Sequence, residues 1–161
     1  YIYTLKNKGV LTIGSDRLFR PGDRVTREEF VKMMVCAKNL EADGDIAFAD
    51  VSENDWFYPY IRIAYCAGVI NGTEPGLFGA GMPVTREQMA AIAYRCDKRL
   101  YAAEESVEVF SDDSEIEGYA KEAVYSMKKD GIINGIGDGR FAPKAYATRA
   151  EAAKIIAAIC D

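Results

Sequence analysis

Three arginines are the side chains best suited to chemistry in this sequence: Arg27, Arg86 and Arg149. Each directly follows a threonine, and each threonine begins a Thr-x-x-Glu or Thr-x-x-Gln pattern typical of a helix capping box. The arginine is therefore expected at the first position of a helix, where a cation faces the positive end of the helix dipole. Recurrence of this unfavourable placement at three positions indicates a compensating negative partner.

Two partners fit this arrangement equally well. The first is a bound anion, held by the free amides of the helix N-terminus and by the guanidinium fork, which binds carboxylates bidentately. The second is an acidic side chain of the same chain, such as Asp23 or Asp50. The residues alone leave both interpretations open.

The three arginines belong to an internal repeat of about 60 residues. A phenylalanine lies seven residues before each threonine, and a glycine lies ten residues before each phenylalanine. In two repeats an aromatic residue, Trp56 or Tyr119, stands twelve residues before that glycine. The same count from Gly9 passes the start of the chain, which also lacks an initial Met. We therefore expect a piece of a longer polypeptide whose first repeat has lost its front portion.

Each repeat is expected to form a helix, a loop and a second helix. After each threonine, apolar residues follow at offsets of four, seven, eight and eleven, which is one face of a helix. The front helices are predicted over residues 56–67 and 117–130, with 1–8 as a remnant, and the glycines Gly9, Gly68 and Gly131 end them. No strand pattern of useful length occurs.

Three similar helical faces at regular spacing predict an all-α fold. Because a lone helix pair cannot bury its apolar face, the repeats should form a pseudo-threefold arrangement around a central three-helix bundle. The predicted repeats span residues 1–40, 48–100 and 110–161, joined by acidic connectors at 41–47 and 101–109.

Composition excludes several classes of function. The chain has no histidine, which removes Ser–His and Cys–His catalysis and the common zinc sites. Its net charge of −5 argues against nucleic-acid binding, and no long apolar window predicts membrane insertion. The four cysteines form no CxxC motif, so they are interpreted as small buried apolar residues, with a disulfide as the alternative. We predict no cofactor and no metal, since Asp43-Gly44-Asp45 does not match an EF-hand loop.

The repeat resembles the S-layer homology (SLH) family. The pattern Phe-x-Asp, Trp, Gly-x-Ile-x-Gly, Gly-x-Phe, Val-Thr-Arg-Glu carries the resemblance. The second repeat has it as Phe48, Asp50, Trp56, Gly68, Ile70, Gly72, Gly76, Phe78 and Val84-Thr85-Arg86-Glu87. The third has Phe110, Asp112, Tyr119, Gly131, Ile133, Gly135, Gly139, Phe141 and Thr148-Arg149-Ala150-Glu151.

This resemblance implies a non-enzymatic, extracellular anchor in the cell wall or S-layer of a bacterium, joined to a larger surface protein or enzyme. The implied partner is a secondary cell-wall polysaccharide carrying pyruvate ketals, bound in grooves between repeats. The family's ligand-binding positions map to Arg27, Arg86, Arg149, Trp56, Tyr119, Gly72 and Gly135. On this mapping the groove expected to be most complete combines Trp56 with Arg86.

Two alternatives remain beside this interpretation. The pseudo-trimer could be a protein–protein scaffold of a surface layer, with no glycan in its grooves. Trp56 could equally be a core residue. An enzyme using a pair of carboxylates is disfavoured, because the acidic residues fall mostly in connectors and capping boxes.

Overall fold

The chain was analysed as a computed structural model, which describes residues 2–7, 9–11, 18–97 and 107–160. Its helices are α1 (Ile2–Asn7), α2 (Arg27–Lys38), α3 (Tyr58–Cys66), α4 (Arg86–Cys96), α5 (Gly118–Lys129) and α6 (Arg149–Ile159), with a short 3-10 turn at Asp113–Glu115. Within these ranges the extended segments form isolated bridges and no strand. The all-α prediction is confirmed. Most of the predicted connector at 101–109 lies outside the described residues.

All three second helices begin at the predicted capping boxes. The side chains of Thr26, Thr85 and Thr148 accept from the amide three residues later, and the Glu or Gln at that position accepts from the threonine amide. At the other end of the front helices, Gly9, Gly68 and Gly131 adopt φ of 70°, 73° and 69°. This left-handed conformation ends a helix, as predicted.

The predicted start of the middle front helix is wrong at Trp56. Helix α3 begins at Tyr58, with Pro59 in its first turn. Proline suits this turn because its missing N–H would have no helical partner there. Trp56 therefore lies in the turn before the helix, and 55% of it is exposed, which excludes the core role considered for it.

Helices α2, α4 and α6 form the central bundle, and each contacts the other two. Eleven of the twelve predicted apolar positions are buried, and Ala37 is half-buried. At the far end of the bundle, Lys38 Nζ lies 3.1 Å from a carboxylate oxygen of Asp97 and 2.9 Å from the carbonyl oxygen of Ile159. One lysine thus joins the C-terminal ends of all three helices.

The front helices pack in an order that the repeat pattern does not reveal. Helix α3 packs on α2, α5 packs on α4, and α1 packs on α6. Each front helix therefore covers the second helix of the preceding repeat in a cyclic order. The buried residues of the front helices include Leu5, Ile61, Ala64, Val124 and Met127.

A closed ring of three backbone hydrogen bonds holds the repeats together at the start of the bundle. Val84 donates to Val25 at 3.0 Å, Ala147 donates to Val84 at 2.9 Å, and Val25 donates to Ala147 at 3.1 Å. All three residues are fully buried. Each repeat thus satisfies one buried donor and one buried acceptor of its neighbours, and opening the ring would leave buried polar groups unpaired.

The aspartates of the two Phe-x-Asp motifs hold the loops that precede α4 and α6 through hydrogen bonds to backbone amides. Asp50 accepts from the amides of Phe78, Gly79 and Ala80 at 2.7–2.9 Å. Asp112 makes the equivalent bonds to Phe141 and Ala142 at 2.8 and 2.7 Å. Burial alone would raise the pKa of both carboxyls, but the backbone donors outweigh burial and lower it.

These hydrogen-bonded carboxylates make the free energy of unfolding depend on pH. Because the folded pKa is lowered, each carboxylate stabilises the fold above its unfolded pKa, about 4, and this stabilisation is lost as pH falls through the folded value. We expect Asp112→Asn to lower the free energy of unfolding at pH 7 by about 2 kcal/mol, and to flatten its decline below pH 5. Urea unfolding across pH 2.5–7 measures both effects. If the free energy of unfolding of Asp112→Asn declined with pH as steeply as that of the wild-type chain, the stabilising role of these hydrogen bonds would be contradicted.

Candidate functional site

The first and third amides of each second helix already have acceptors within the protein. The first amide of each second helix donates to a carbonyl of the neighbouring repeat: Arg27 to Met82 at 3.0 Å, Arg86 to Ala145 at 2.9 Å and Arg149 to Asp23 at 2.9 Å. The threonine hydroxyl occupies the third amide. These two amides of each helix are therefore not available to hold an anion, contrary to the interpretation from the sequence.

Each of the three arginines reaches across to the next repeat in cyclic order. Its Nε donates to the carbonyl oxygen of the repeat's phenylalanine: Arg27 to Phe78, Arg86 to Phe141 and Arg149 to Phe19, at 3.0, 2.9 and 3.0 Å. Each guanidinium also lies 5.1–5.3 Å from the centroid of the same ring. These contacts explain why arginine and phenylalanine recur together, and they use Nε only.

The terminal guanidinium nitrogens meet different partners in the three repeats. Arg86 forms an ion pair with Glu151, and Arg149 Nη1 lies 3.5 Å from Glu29 Oε1. At the equivalent place Arg27 faces the third capping-box residue, Gln88, and it forms no ion pair with any described residue. The acidic partners of Arg86 and Arg149 thus include glutamates of the adjacent capping box. Arg27 has no such ion pair with a described residue, but the nearby carboxylates of Glu28 and Asp50 act to raise its pKa.

Three repeats together build the first cavity, which we name the Arg27 groove. Its volume is about 250 Å³. Residues lining it include Arg27 from the first repeat, Asn71, Gly72, Thr73, Gln88 and Arg95 from the second, and Tyr119 from the third. Three of the predicted site residues therefore meet here, and the groove has an arginine, an aromatic ring and a glycine-containing loop.

A second cavity, the Arg149 groove, occupies the equivalent position one step around the pseudo-threefold arrangement, and it also combines an arginine, an aromatic residue and the third residue of a capping box. Its lining is Glu29, Lys32, Met33, Trp56 and Arg149, and its volume is about 270 Å³. It adjoins a cavity of about 310 Å³ that shares Glu29 and Arg149 and adds Arg20 and Arg24.

The expected pairing of Trp56 with Arg86 is wrong. Trp56 precedes α3, which packs on α2, so its side chain faces the groove beside α2 that Arg149 enters. Tyr119 lies in the first turn of α5, which packs on α4, and so meets Arg27. The equivalent aromatic position for Arg86 would precede residue 1.

The Arg27 groove is positively charged although the chain is acidic overall. Only 4% of Arg27 is exposed, and burial lowers its pKa, although nearby Tyr119, Glu28 and Asp50 act in the opposite direction. Tyr119 is half-exposed, yet desolvation, reinforced by Glu87, raises its pKa to about 12. The phenol is therefore neutral at neutral pH. Sequence reasoning missed Gln88 and Arg95 as site residues, although Gln88 was visible as the one non-acidic third residue among the capping boxes.

The fold itself requires glycine at positions 72 and 135. A β-carbon on Gly72 would lie 2.4 Å from the Leu77 carbonyl oxygen and 3.0 Å from the Phe48 ring. Gly135 is enclosed in the same way by Arg140 and Phe110 at the same distances. Both residues also have positive φ, 88° and 77°. Close packing inside each loop therefore accounts for these glycines before any ligand is considered.

Comparison with known proteins identifies the family. The model of the S-layer homology domain matches residues 1–31, 47–90 and 109–153. The chain belongs to the S-layer homology family. It is 36% identical over 96% of its length to an exoglucanase, XynX, of Acetivibrio thermocellus, and 37% identical over 99% to an endoglucanase of a Bacillus species. It is 34% identical over 95% to the S-layer protein sap of Bacillus anthracis.

The SLH chain is thus an anchoring module of the bacterial cell surface, found both in S-layer proteins and in enzymes. It spans 14%, 17% and 19% of the lengths of these three relatives. Among the described helices none is long and apolar enough to cross a bilayer. None of the four cysteines, all of which lie in the described residues, forms a disulfide; Cys96 is buried and the others are half-buried. The described residues bring no three metal-ligating side chains together.

The close packing at Gly72 generates a first prediction for this site. Gly72→Ala should lower the free energy of unfolding by about 2–4 kcal/mol, through the left-handed backbone and the clash with Leu77. The matched control is Gly76→Ala, where φ is also positive, 75°, but no atom lies near the new methyl group. That variant should lose only about 1–2 kcal/mol. Equal losses in urea unfolding would contradict the clash.

The exposure of Trp56 generates a second prediction. Trp56→Ala should change the free energy of unfolding by no more than about 0.5 kcal/mol, because the side chain is a surface residue of the Arg149 groove. Phe78→Ala is the contrasting variant, since Phe78 is fully buried, and it should lose about 3–5 kcal/mol. A loss at Trp56 comparable with that at Phe78 would restore the core interpretation.

Proposed function

We propose that this SLH chain anchors its protein non-covalently to the bacterial wall by binding an acidic wall polysaccharide in the grooves between repeats. The substituent recognised is a carboxylate fixed on a sugar, as in a pyruvate ketal. The Arg27 groove carries this proposal, because it places a buried guanidinium and an exposed aromatic ring in one cavity with room for a sugar residue.

The chemistry of the groove suits a carboxylated sugar. The terminal nitrogens of Arg27 are available for bidentate binding, because Nε alone is used by the Phe78 carbonyl. Tyr119 offers a neutral ring face to the sugar, and the exposed Asn71 and Thr73 offer polar groups to its hydroxyls. No catalytic group is needed. Since neither guanidinium nor carboxylate titrates near neutrality, binding should be constant between pH 6 and 8.

The same role is proposed for the other two grooves. Arg149 and Trp56 form one groove, with Trp56 as the sugar platform. Arg86 and the loop of Gly135 form the other. Recognition in each groove is local, so the overall net charge of −5 does not prevent binding of an acidic polymer.

The anchored cargo is proposed to be a larger surface protein or enzyme. The relatives carry this module as a small part of longer chains, and two of them are glucanases. In such a protein the SLH chain holds the rest at the wall, and any catalysis belongs to other parts of the polypeptide.

Binding to purified wall polysaccharide tests this proposal. We expect the chain to bind the native polymer and to lose binding after mild acid removes the ketals. Tyr119→Ala should weaken binding about three- to tenfold, because it removes the ring that covers the sugar. Tyr146→Ala is the matched control, since Tyr146 is similarly exposed, 46% against 51%, and does not line the Arg27 groove.

Two results would contradict the proposal. Equal binding to native and depyruvylated polymer would remove the carboxylate from recognition. Absence of binding to either polymer, with assembly onto surface-layer subunits, would favour the protein–protein scaffold instead.

A further inference from the structure

In each capping box the Glu or Gln places one side-chain atom toward the adjacent groove. That atom is an oxygen in Glu29 and Glu151 and a nitrogen in Gln88. In Glu29 and Glu151, Oε2 accepts from the amide of the preceding threonine, and Oε1 faces Arg149 or Arg86. In Gln88 the single oxygen, Oε1, accepts from the Thr85 amide at 3.2 Å. The branch that faces Arg27 is therefore the amide nitrogen, which can only donate.

The Arg27 groove consequently offers several donors and no carboxylate. Arg27, 96% buried, presents its terminal nitrogens, and Gln88 presents Nε2, for which the described part of the chain supplies no acceptor. Arg95 adds a second guanidinium, bonded only to the Val69 carbonyl at a long 3.4 Å. Glu28 and Asp50 lie near Arg27 behind the groove, but neither lines the cavity. Three donor side chains that converge on one cavity favour an anionic oxygen in it, because hydrogen bonds between cations and anionic acceptors are the strong ones.

The other two grooves already contain their negative charge. Glu151 neutralises Arg86, and Glu29 lies opposite Arg149. A ligand carboxylate entering either groove must displace the glutamate or be repelled by it.

We propose that the Arg27 groove is the principal ligand groove of this chain, that Gln88 selects it, and that Gln88 and Arg95 contact the ligand carboxylate together with Arg27. This inference rests on the proposed function and deepens it. The ligand is a sugar whose single acidic substituent is shared by both guanidinium groups. The third residue of each capping box thus tunes its own groove while keeping the cap intact.

Calorimetry with a defined probe tests this assignment, and the probe is the methyl glycoside of a hexose that carries one pyruvate ketal. Gln88→Glu preserves the cap, as Glu29 and Glu151 show, and should weaken binding at least about tenfold by supplying an internal partner to Arg27. Arg95→Gln should weaken it about threefold to tenfold. Thermal unfolding should be unchanged in both variants.

The single tryptophan distinguishes the grooves. Trp56 lines the Arg149 groove, so in the wild-type chain its fluorescence should respond only at probe concentrations well above those that saturate the calorimetric site. Glu29→Gln is the reciprocal variant, because it creates in the Arg149 groove the residue found in the Arg27 groove. It should shift the Trp56 response to lower probe concentration by about tenfold.

The outcomes separate the two proposals. If Gln88→Glu and Arg95→Gln bind like the wild-type chain while Trp56 fluorescence follows the calorimetric curve, the inference is overturned and the anchoring function stands. If the wild-type chain binds neither the probe nor the pyruvylated polymer, both proposals fail. If it binds the polymer but not the probe, polymer binding decides: weaker binding by Gln88→Glu and Arg95→Gln supports the inference, and binding equal to that of the wild-type chain overturns it.

Discussion

The closed ring of hydrogen bonds among Val25, Val84 and Ala147 is the constraint on which the rest of the structure depends. Each donor and acceptor in it is buried, so the three repeats can only be satisfied together. Each ring residue lies two positions before the first residue of a bundle helix, so the ring fixes where the three helices begin and which neighbour each N-terminus meets. The cyclic order continues outward, since every arginine and every front helix contacts a different repeat from its own.

The structural role of Arg27, Arg86 and Arg149 is compatible with the binding role proposed for them. Nε and the guanidinium face are used by the phenylalanine of the next repeat, which holds the side chain rigid at a groove. The terminal nitrogens of Arg27 are thereby presented in a fixed orientation, so little conformational entropy would be lost on binding. The equivalent nitrogen of Arg86 forms an ion pair with Glu151. The same fold thus holds Arg86, which is paired with a glutamate, and Arg27, which has a glutamine at the equivalent position of the adjacent capping box.

This arrangement suits a module that anchors larger proteins. The chain matches relatives as different as glucanases and S-layer proteins over nearly its whole length, while it spans less than a fifth of theirs. The anchoring unit is therefore independent of what it carries. Because the Arg27 and Arg149 grooves each take residues from three repeats, no single repeat could form either groove alone, and tandem arrangement is a requirement of both.

The sequence by itself determined the local features: the repeat, the capping boxes, the glycine helix ends, the apolar faces and the all-α bundle. These signals act within a few turns of chain, where spacing defines geometry. Only the tertiary structure decided that Trp56 meets Arg149, that Tyr119 meets Arg27, and that the N-terminal amides are engaged by neighbouring loops. The physical reason is the repeat itself. Three nearly equivalent apolar faces do not specify which front helix covers which bundle helix, and that choice places every groove residue.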